Sequence, residues 1–130
     1  MKQGNLRHFR PALLWLAGIL VLTLLPGSYI PKPGSFWNLL SPDKLVHLFL
    51  FGVLAWLISK GLEARDNGIV FARHYLIVMA VAVILAFATE ILQYLLPIGR
   101  SGNLYDAIAD VAGSALGILL FNFYKKKFKK

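Results

Sequence analysis

Residues 72–96 read ARHYLIVMAVAVILAFATEILQYLL, and this stretch decides the fold class. Between Tyr75 and Thr89 it contains no charged residue. As an α-helix with a rise of 1.5 Å per residue it reaches about 37 Å, which is enough to cross a hydrocarbon core of roughly 30 Å with some tilt. Pro97 and Gly99 follow directly and are typical of a helix end. We therefore predict a membrane-spanning helix here, called span three.

Three other apolar segments accompany this one. The predicted spans one, two and four cover about residues 11–25, 43–62 and 104–124. Residues 26–42 hold four of the six prolines, so they predict an external loop between spans one and two. The predicted fold class is all-α: an integral membrane four-helix bundle, with residues 1–130 as a single domain.

Composition supports this class and excludes others. The chain is 58% hydrophobic and only 15% charged, with a mean hydropathy of +0.65, which is too apolar for a soluble domain. The net charge of +8 comes from basic residues that flank apolar segments, so we expect no nucleic-acid partner. The absence of cysteine excludes thiolate nucleophiles and cysteine metal sites. Span one is expected to be retained, because Pro26-Gly27-Ser28 does not resemble a signal-peptide cleavage site.

The basic residues also predict the orientation of the helices. Eleven of the fourteen Lys and Arg residues lie in the N-terminal segment, the loop between spans two and three, or the C-terminal tail. The opposite side has only Lys32, Lys44 and Arg100. By the positive-inside rule, both termini are expected to be cytoplasmic, with the loop at 26–42 outside.

Polar residues inside spans two and three lie toward one membrane surface. Asp43 and His47 are four residues apart near the start of span two, so they share a helix face. Glu90 and Gln93 are three residues apart in the last two turns of span three. A carboxyl group on an apolar helix costs about 2.5–3.5 kcal/mol at the bilayer centre and less near the edge. Glu90 is therefore harder to explain as a surface residue than Asp43, which suits a helix cap.

Span four continues the pattern with Asp106, Asp110, Gly113 and Gly117, spaced by four, three and four residues along one helix face. The first half of this stripe is acidic, and the glycines are most simply explained by close helix packing. Since spans two, three and four bring their polar ends to the same side, we predict one site there. Its candidate residues are Asp43, Lys44, His47, Glu90, Gln93, Arg100, Asp106 and Asp110.

The charge of these candidates requires compensation. The four carboxylates and two cations leave a formal charge of −2 when His47 is neutral. Like charges four residues apart on a helix repel, and burial raises the pKa of a carboxyl group. Shared protons, a protonated His47, a divalent cation or a cationic ligand would each balance the site.

The same residues carry a resemblance to a known family. The motifs are Asp43-Lys44-Leu45-Val46-His47, Glu90-x-x-Gln93, Pro97-x-x-Arg100-Ser101 and Asp106-x-x-x-Asp110-x-x-Gly113-x-x-x-Gly117. Over roughly residues 13–120 they resemble the VanZ-like family of small bacterial membrane proteins. Asp110 departs from the family pattern, which more often has asparagine there. The resemblance implies a multi-pass protein of the bacterial cytoplasmic membrane, in a family named after a member associated with resistance to teicoplanin-type glycopeptide antibiotics.

Our leading hypothesis is a binding protein. The predicted site would hold the headgroup of an envelope lipid or of a lipid-linked cell-wall precursor, with Lys44 and Arg100 contacting phosphate. Membrane lipids are thus the expected partners, and the sequence leaves the oligomeric state open.

Three alternatives stay open. In an intramembrane hydrolase or transferase acting on a lipid-linked substrate, His47 would be the general base and Glu90 the general acid or a metal ligand, with Asp106 and Asp110 as ligands or orienting groups. In a small proton-coupled transporter, Glu90 and His47 would carry protons. In a purely structural cluster, the polar residues would pair among themselves.

Overall fold

Four α-helices form the described part of the chain, which in this computed structural model comprises residues 6–25, 42–97 and 104–129. The helices are α1 (Arg10–Thr23), α2 (Pro42–Arg65), α3 (Ala72–Leu95) and α4 (Leu104–Phe128), and a 3₁₀ turn at Leu6–Phe9 precedes α1. No strand occurs within these ranges, and the predicted all-α class is confirmed. The predicted loop at 26–42 lies almost wholly outside the described residues, as does Arg100.

Each helix is long and apolar enough to cross a membrane, which confirms the prediction of four spans. For the first span, the 3₁₀ turn adds to α1, so that Leu6–Thr23 provides 18 residues. Large apolar side chains such as Leu14, Leu76 and Ile84 are exposed on the outside of the bundle, as expected for groups that face lipid. The chain is a multi-pass membrane protein. Its orientation stays a prediction.

Helices α2 and α4 make the most extensive contact in the bundle. They run parallel, because Gly52 lies beside Gly117 and Trp56 lies edge-on to Phe121 with ring centroids 5.5 Å apart. A Cβ atom added at Gly113 would overlap the Leu48 carbonyl oxygen, and one added at Gly117 would overlap that of Gly52. The backbones of the two helices therefore touch, which requires residues without a side chain.

Helix α3 runs antiparallel to this pair and α1 packs at the side. Near the start of α3, the Tyr75 hydroxyl donates a hydrogen bond of 3.3 Å to Asn122 Oδ1 in the second half of α4. The Trp15 indole Nε1 of α1 donates to the Leu50 carbonyl oxygen at 2.8 Å. This bond satisfies the only polar atom of a side chain that otherwise contributes apolar surface.

An apolar groove follows the outer side of the α2–α4 contact. It has a volume of about 410 Å³. The lining residues are Leu48, Phe49, Gly52, Val53, Trp56, Gly113, Leu116, Gly117 and Leu120. None of the candidate site residues lines it, so this cavity is separate from the polar groups described below.

The close α2–α4 contact gives a direct test. Replacing Gly117 by alanine forces the two backbones apart and is expected to lower the free energy of unfolding by about 1–3 kcal/mol. Gly18 on α1 is the matched control, since nothing lies within 4 Å of an added Cβ there. Gly18→Ala should leave the free energy of unfolding unchanged or raise it by up to about 1 kcal/mol, because alanine favours the helix more than glycine does. Thermal unfolding in detergent measures both, and equal midpoints for the two variants would contradict the packing described.

Candidate functional site

The antiparallel arrangement brings the start of α2, the end of α3 and the start of α4 to one end of the bundle, called here the His47 end. The end of α1 lies at the same end, since the Gln93 side-chain Nε2 donates to the Thr23 carbonyl oxygen at 2.7 Å. This bond ties α3 to α1 through a backbone acceptor. Gln93 therefore stabilises the packing of α1 against α3 beside the site. Sequence spacing alone did not indicate that its partner is a backbone carbonyl group.

His47 and Asp110 form the centre of the site. His47 Nδ1 lies 2.8 Å from Asp110 Oδ1, and the residues are 2% and 0% exposed. An ionised carboxylate only accepts hydrogen bonds, so the proton of this bond belongs to Nδ1. In a neutral ring, Nε2 then has a lone pair. Asp106, one turn before Asp110, is also buried, and its Oδ2 lies 4.0 Å from Nε2.

Glu90 adds a carboxylate from the third helix. It is 8% exposed, and one of its oxygens lies within 4.8 Å of a ring nitrogen of His47 and of an oxygen of Asp110. We call His47, Glu90, Asp106 and Asp110 the carboxylate–histidine site. The structure thus brings together four of the eight residues predicted from sequence, and Gln93 lies beside them.

The remaining predicted residues lie nearer the helix ends. Lys44 is partly buried one turn before His47, and its Nζ lies 5.9 Å from the centre of the Tyr105 ring. The backbone of Asp43 is in the first turn of α2, but its side chain is outside the described part of the structure, and so is the whole of Arg100. The three carboxylates of the carboxylate–histidine site and the ammonium group of Lys44 sum to a formal charge of −2 when His47 is neutral.

This arrangement has a limited chemical repertoire. Buried carboxylates in a membrane bundle favour cationic partners, because an isolated negative charge is costly in a medium of low dielectric constant. The imidazole and carboxylate groups also provide nitrogen and oxygen donors for a metal ion. In addition, a histidine oriented by an aspartate through Nδ1 presents Nε2 as a base.

A second polar cluster, at the opposite end of the bundle, was missed by the sequence analysis, which ended span two at about residue 62 and so left Glu63 in the loop between spans two and three. Glu63 lies in the last turn of α2 and is only 4% exposed. Its Oε1 accepts from Lys129 Nζ at 3.0 Å and pairs with Lys125 Nζ at 3.1 Å. Lys125 also donates to the Gly68 carbonyl oxygen at 2.9 Å. We call this the Glu63 cluster.

The position of Glu63 on α2 explains its burial. In the structure, buried residues of α2 recur every four positions from the histidine to the glutamate, and this stripe advances about 40° around the helix at each step. These residues are His47, Phe51, Ala55, Ser59 and Glu63. The burial of Glu63 therefore depends on the parallel packing of α2 against α4, which sequence spacing does not reveal.

Next to this cluster, Asp66 holds the turn that joins α2 to α3. It accepts a 3.1 Å hydrogen bond from the Arg65 guanidinium, and this bond holds the pKa of Asp66 below its usual value. Buried His74 accepts at Nδ1 from the Phe71 backbone N–H, so its Nε2 carries the proton and donates to Asp66 Oδ2 at 2.7 Å. Both polar ends of the bundle thus contain a histidine beside carboxylates.

Comparison with known proteins identifies one family. A sequence model described as VanZ/LLP1 matches residues 3–125. No curated protein and no solved structure matches the chain.

Adjacent lysines test the Glu63 cluster. Lys125→Gln removes one of the two ammonium groups on Glu63 and the bond to Gly68, and it should lower the free energy of unfolding by about 1–2 kcal/mol. Lys126→Gln is the control, because Lys126 is exposed and carries the same charge one residue away. It is expected to change stability by no more than about 0.5 kcal/mol. Chemical or thermal unfolding in detergent distinguishes the two, and equal losses would mean that the lysines act only as surface charges.

Proposed function

The chain belongs to the VanZ/LLP1 family, and from this premise we propose that it binds the polar headgroup of an envelope lipid or of a lipid-linked cell-wall precursor. The carboxylate–histidine site is the proposed binding site. The observation that carries the proposal is the convergence of ionisable side chains from three helices at one buried location. Charged groups in a membrane bundle are costly, and they commonly mark a functional site.

The ligand would combine positive and negative groups. An amine or another cationic group suits the carboxylates of Glu90, Asp106 and Asp110. A phosphate suits Lys44, which lies one turn closer to the start of α2 on the same helix. We place Arg100 and Asp43 in the same proposed site from their sequence positions. Such a division of charge matches the headgroup of a zwitterionic lipid.

The proposed orientation puts this site at the outer surface. The excess of Lys and Arg in the N-terminal segment, the loop between α2 and α3 and the C-terminal tail supports cytoplasmic termini. The starts of α2 and α4 then face the extracytoplasmic side of the bacterial cytoplasmic membrane. At that depth the site meets lipid headgroups and membrane-anchored wall precursors. A contribution to glycopeptide resistance, as the family resemblance implies, is part of this proposal.

A catalytic role is the second candidate. The 2.8 Å contact between His47 Nδ1 and Asp110 favours it, because an aspartate in that position fixes the ring and leaves Nε2 as a general base. The substrate would be a lipid-linked molecule undergoing hydrolysis or group transfer. A turnover assay with purified protein and His47→Gln tests this role, and turnover that persists in the variant would contradict it.

The transporter alternative receives less support. Between the two polar ends, the described core contains apolar side chains such as Phe51, Leu54 and Phe121. The hydroxyl groups of Ser59 and Ser114 donate to carbonyl oxygens of their own helices at 2.8 Å. Within these residues, this packing does not favour a water-filled path from one end to the other.

Lipid that copurifies with the protein tests the headgroup proposal. Lys44→Glu reverses the proposed phosphate contact, so the lipid enriched with the unsubstituted protein should fall by roughly tenfold, a loss of about 1.4 kcal/mol in binding. Lys60→Glu is the matched control, as Lys60 is an exposed lysine near the other end of α2. Mass spectrometry of lipids extracted from equal amounts of folded protein gives the comparison.

The proposal fails if Lys44→Glu, Glu90→Gln and the control all retain the same lipid profile as the unsubstituted protein. Thermal unfolding of each preparation shows that the variants are folded. Susceptibility of the expressing cells to a teicoplanin-type antibiotic provides the second measurement. It should change with Lys44→Glu and stay unchanged with Lys60→Glu.

A further inference from the structure

We infer that the carboxylate–histidine site binds a divalent transition-metal cation, with His47, Glu90 and Asp110 as its protein ligands. The inference rests on the proposed function, because it names what the same site holds beside the headgroup. It is carried by the identity and mutual distances of three buried donor groups.

The donor atoms are close enough to share one ion. One atom from each of His47, Glu90 and Asp110 lies within 4.8 Å of the other two. Zinc binds nitrogen and oxygen ligands at about 2.0–2.2 Å, so ligands of a tetrahedral site lie about 3.4 Å apart. In the inferred site His47 binds through Nδ1, so the ion replaces the 2.8 Å hydrogen bond between Nδ1 and Asp110 Oδ1. The ring proton then lies on Nε2, which faces Asp106 Oδ2. One imidazole and two carboxylates favour an ion such as Zn²⁺ or Mn²⁺ over Mg²⁺ and Ca²⁺, which prefer oxygen ligands alone.

The charge of the site agrees with a dication. Glu90, Asp106, Asp110 and Lys44 give the described groups a formal charge of −2 when His47 is neutral, as a metal ligand requires. A divalent ion would bring this formal count of the described groups to zero. Asp106 is positioned to orient the ligands or to accept from a bound water, since its Oδ2 lies 4.0 Å from His47 Nε2.

The opposite end of the bundle offers an internal comparison. His74, Asp66 and Glu63 are the same residue types, and two of the three are buried. There, positive charge comes from the protein itself: Lys125 and Lys129 bind Glu63, and Arg65 binds Asp66. The carboxylates at this end are thus paired with lysine and arginine side chains.

Packing also holds two of the ligands in place. His47 is on α2 and Asp110 on α4, and these helices touch through the Leu48 carbonyl group and Gly113 within one turn of both. A preorganised pair of ligands reduces the reorganisation that metal binding requires. Glu90 on α3 completes the set. A bound dication would also present a positive centre to the phosphate oxygens of a headgroup.

Metal binding to the full chain tests the inference. The protein is purified in detergent without a polyhistidine tag, treated with a chelator and dialysed. Zn²⁺, Mn²⁺ and Mg²⁺ are then titrated separately, with calorimetry for affinity and elemental analysis for stoichiometry. We expect about one Zn²⁺ or Mn²⁺ per chain and a rise in the thermal unfolding midpoint. Mg²⁺ should bind at least tenfold more weakly, because imidazole is a poor ligand for it.

Variants assign the ligands. His47→Ala, Glu90→Gln and Asp110→Asn should each weaken Zn²⁺ binding at least tenfold. His8→Ala is the control, because His8 is exposed in the turn before α1, and it should retain the affinity of the unsubstituted protein. Glu90→Gln and Asp110→Asn preserve side-chain shape, so they report on ligation even if His47→Ala does not fold.

The outcomes separate this inference from the headgroup proposal. The metal-site inference is overturned if neither Zn²⁺ nor Mn²⁺ binds the unsubstituted protein, if the His47→Ala variant binds the ion with unchanged affinity, or if Mg²⁺ binds equally well. Lipid enrichment measured on the same samples decides the other question. If lipid enrichment depends on Lys44 but no metal binds, the metal site is refuted and the headgroup proposal is supported. A metal bound through His47 in protein that selects no lipid supports the metal site and refutes the headgroup proposal.

Discussion

The backbone contact between α2 and α4 determines the rest of the structure. At Gly113 and Gly117, α4 lies against the Leu48 and Gly52 carbonyl groups, with no room for a Cβ atom. Because the two helices are parallel, this contact fixes which residues of one helix lie beside which residues of the other along their whole length. His47 meets Asp110 at one end, and Glu63 meets Lys125 at the other. Helix α3 then adds Glu90 to the first pair.

The two polar ends bury different sets of ionisable groups. In the Glu63 cluster, a carboxylate is paired with two lysines, so charges of opposite sign come from the chain itself. In the carboxylate–histidine site, three carboxylates surround one histidine. Histidine and carboxylate side chains offer nitrogen and oxygen donors, and for this reason we propose binding at that end.

Much of the fold and part of the site follow from sequence. Four apolar segments are sufficient to predict four spanning helices, because backbone hydrogen bonds must be satisfied inside lipid. The convergence of His47, Glu90 and Asp110 follows from their positions near the start of span two, the end of span three and the start of span four, because consecutive spans cross the membrane in opposite directions. The role of Gln93 could not be predicted, because its partner is a backbone carbonyl of α1, which side-chain patterns do not reveal. The burial of Glu63 could be predicted only by knowing that α2 continues to Arg65 in register with α4.

The parallel α2–α4 pairing also limits how chain length can vary. Inserting or deleting one residue within α2 between Gly52 and Glu63 would turn the rest of that helix by about 100° relative to α4. Such a change would leave His47 and Asp110 together but would rotate Glu63 away from the lysines. Length differences between homologues of this protein should therefore be concentrated in the segments that join the helices, and alignment gaps inside α2 or α4 should be rare.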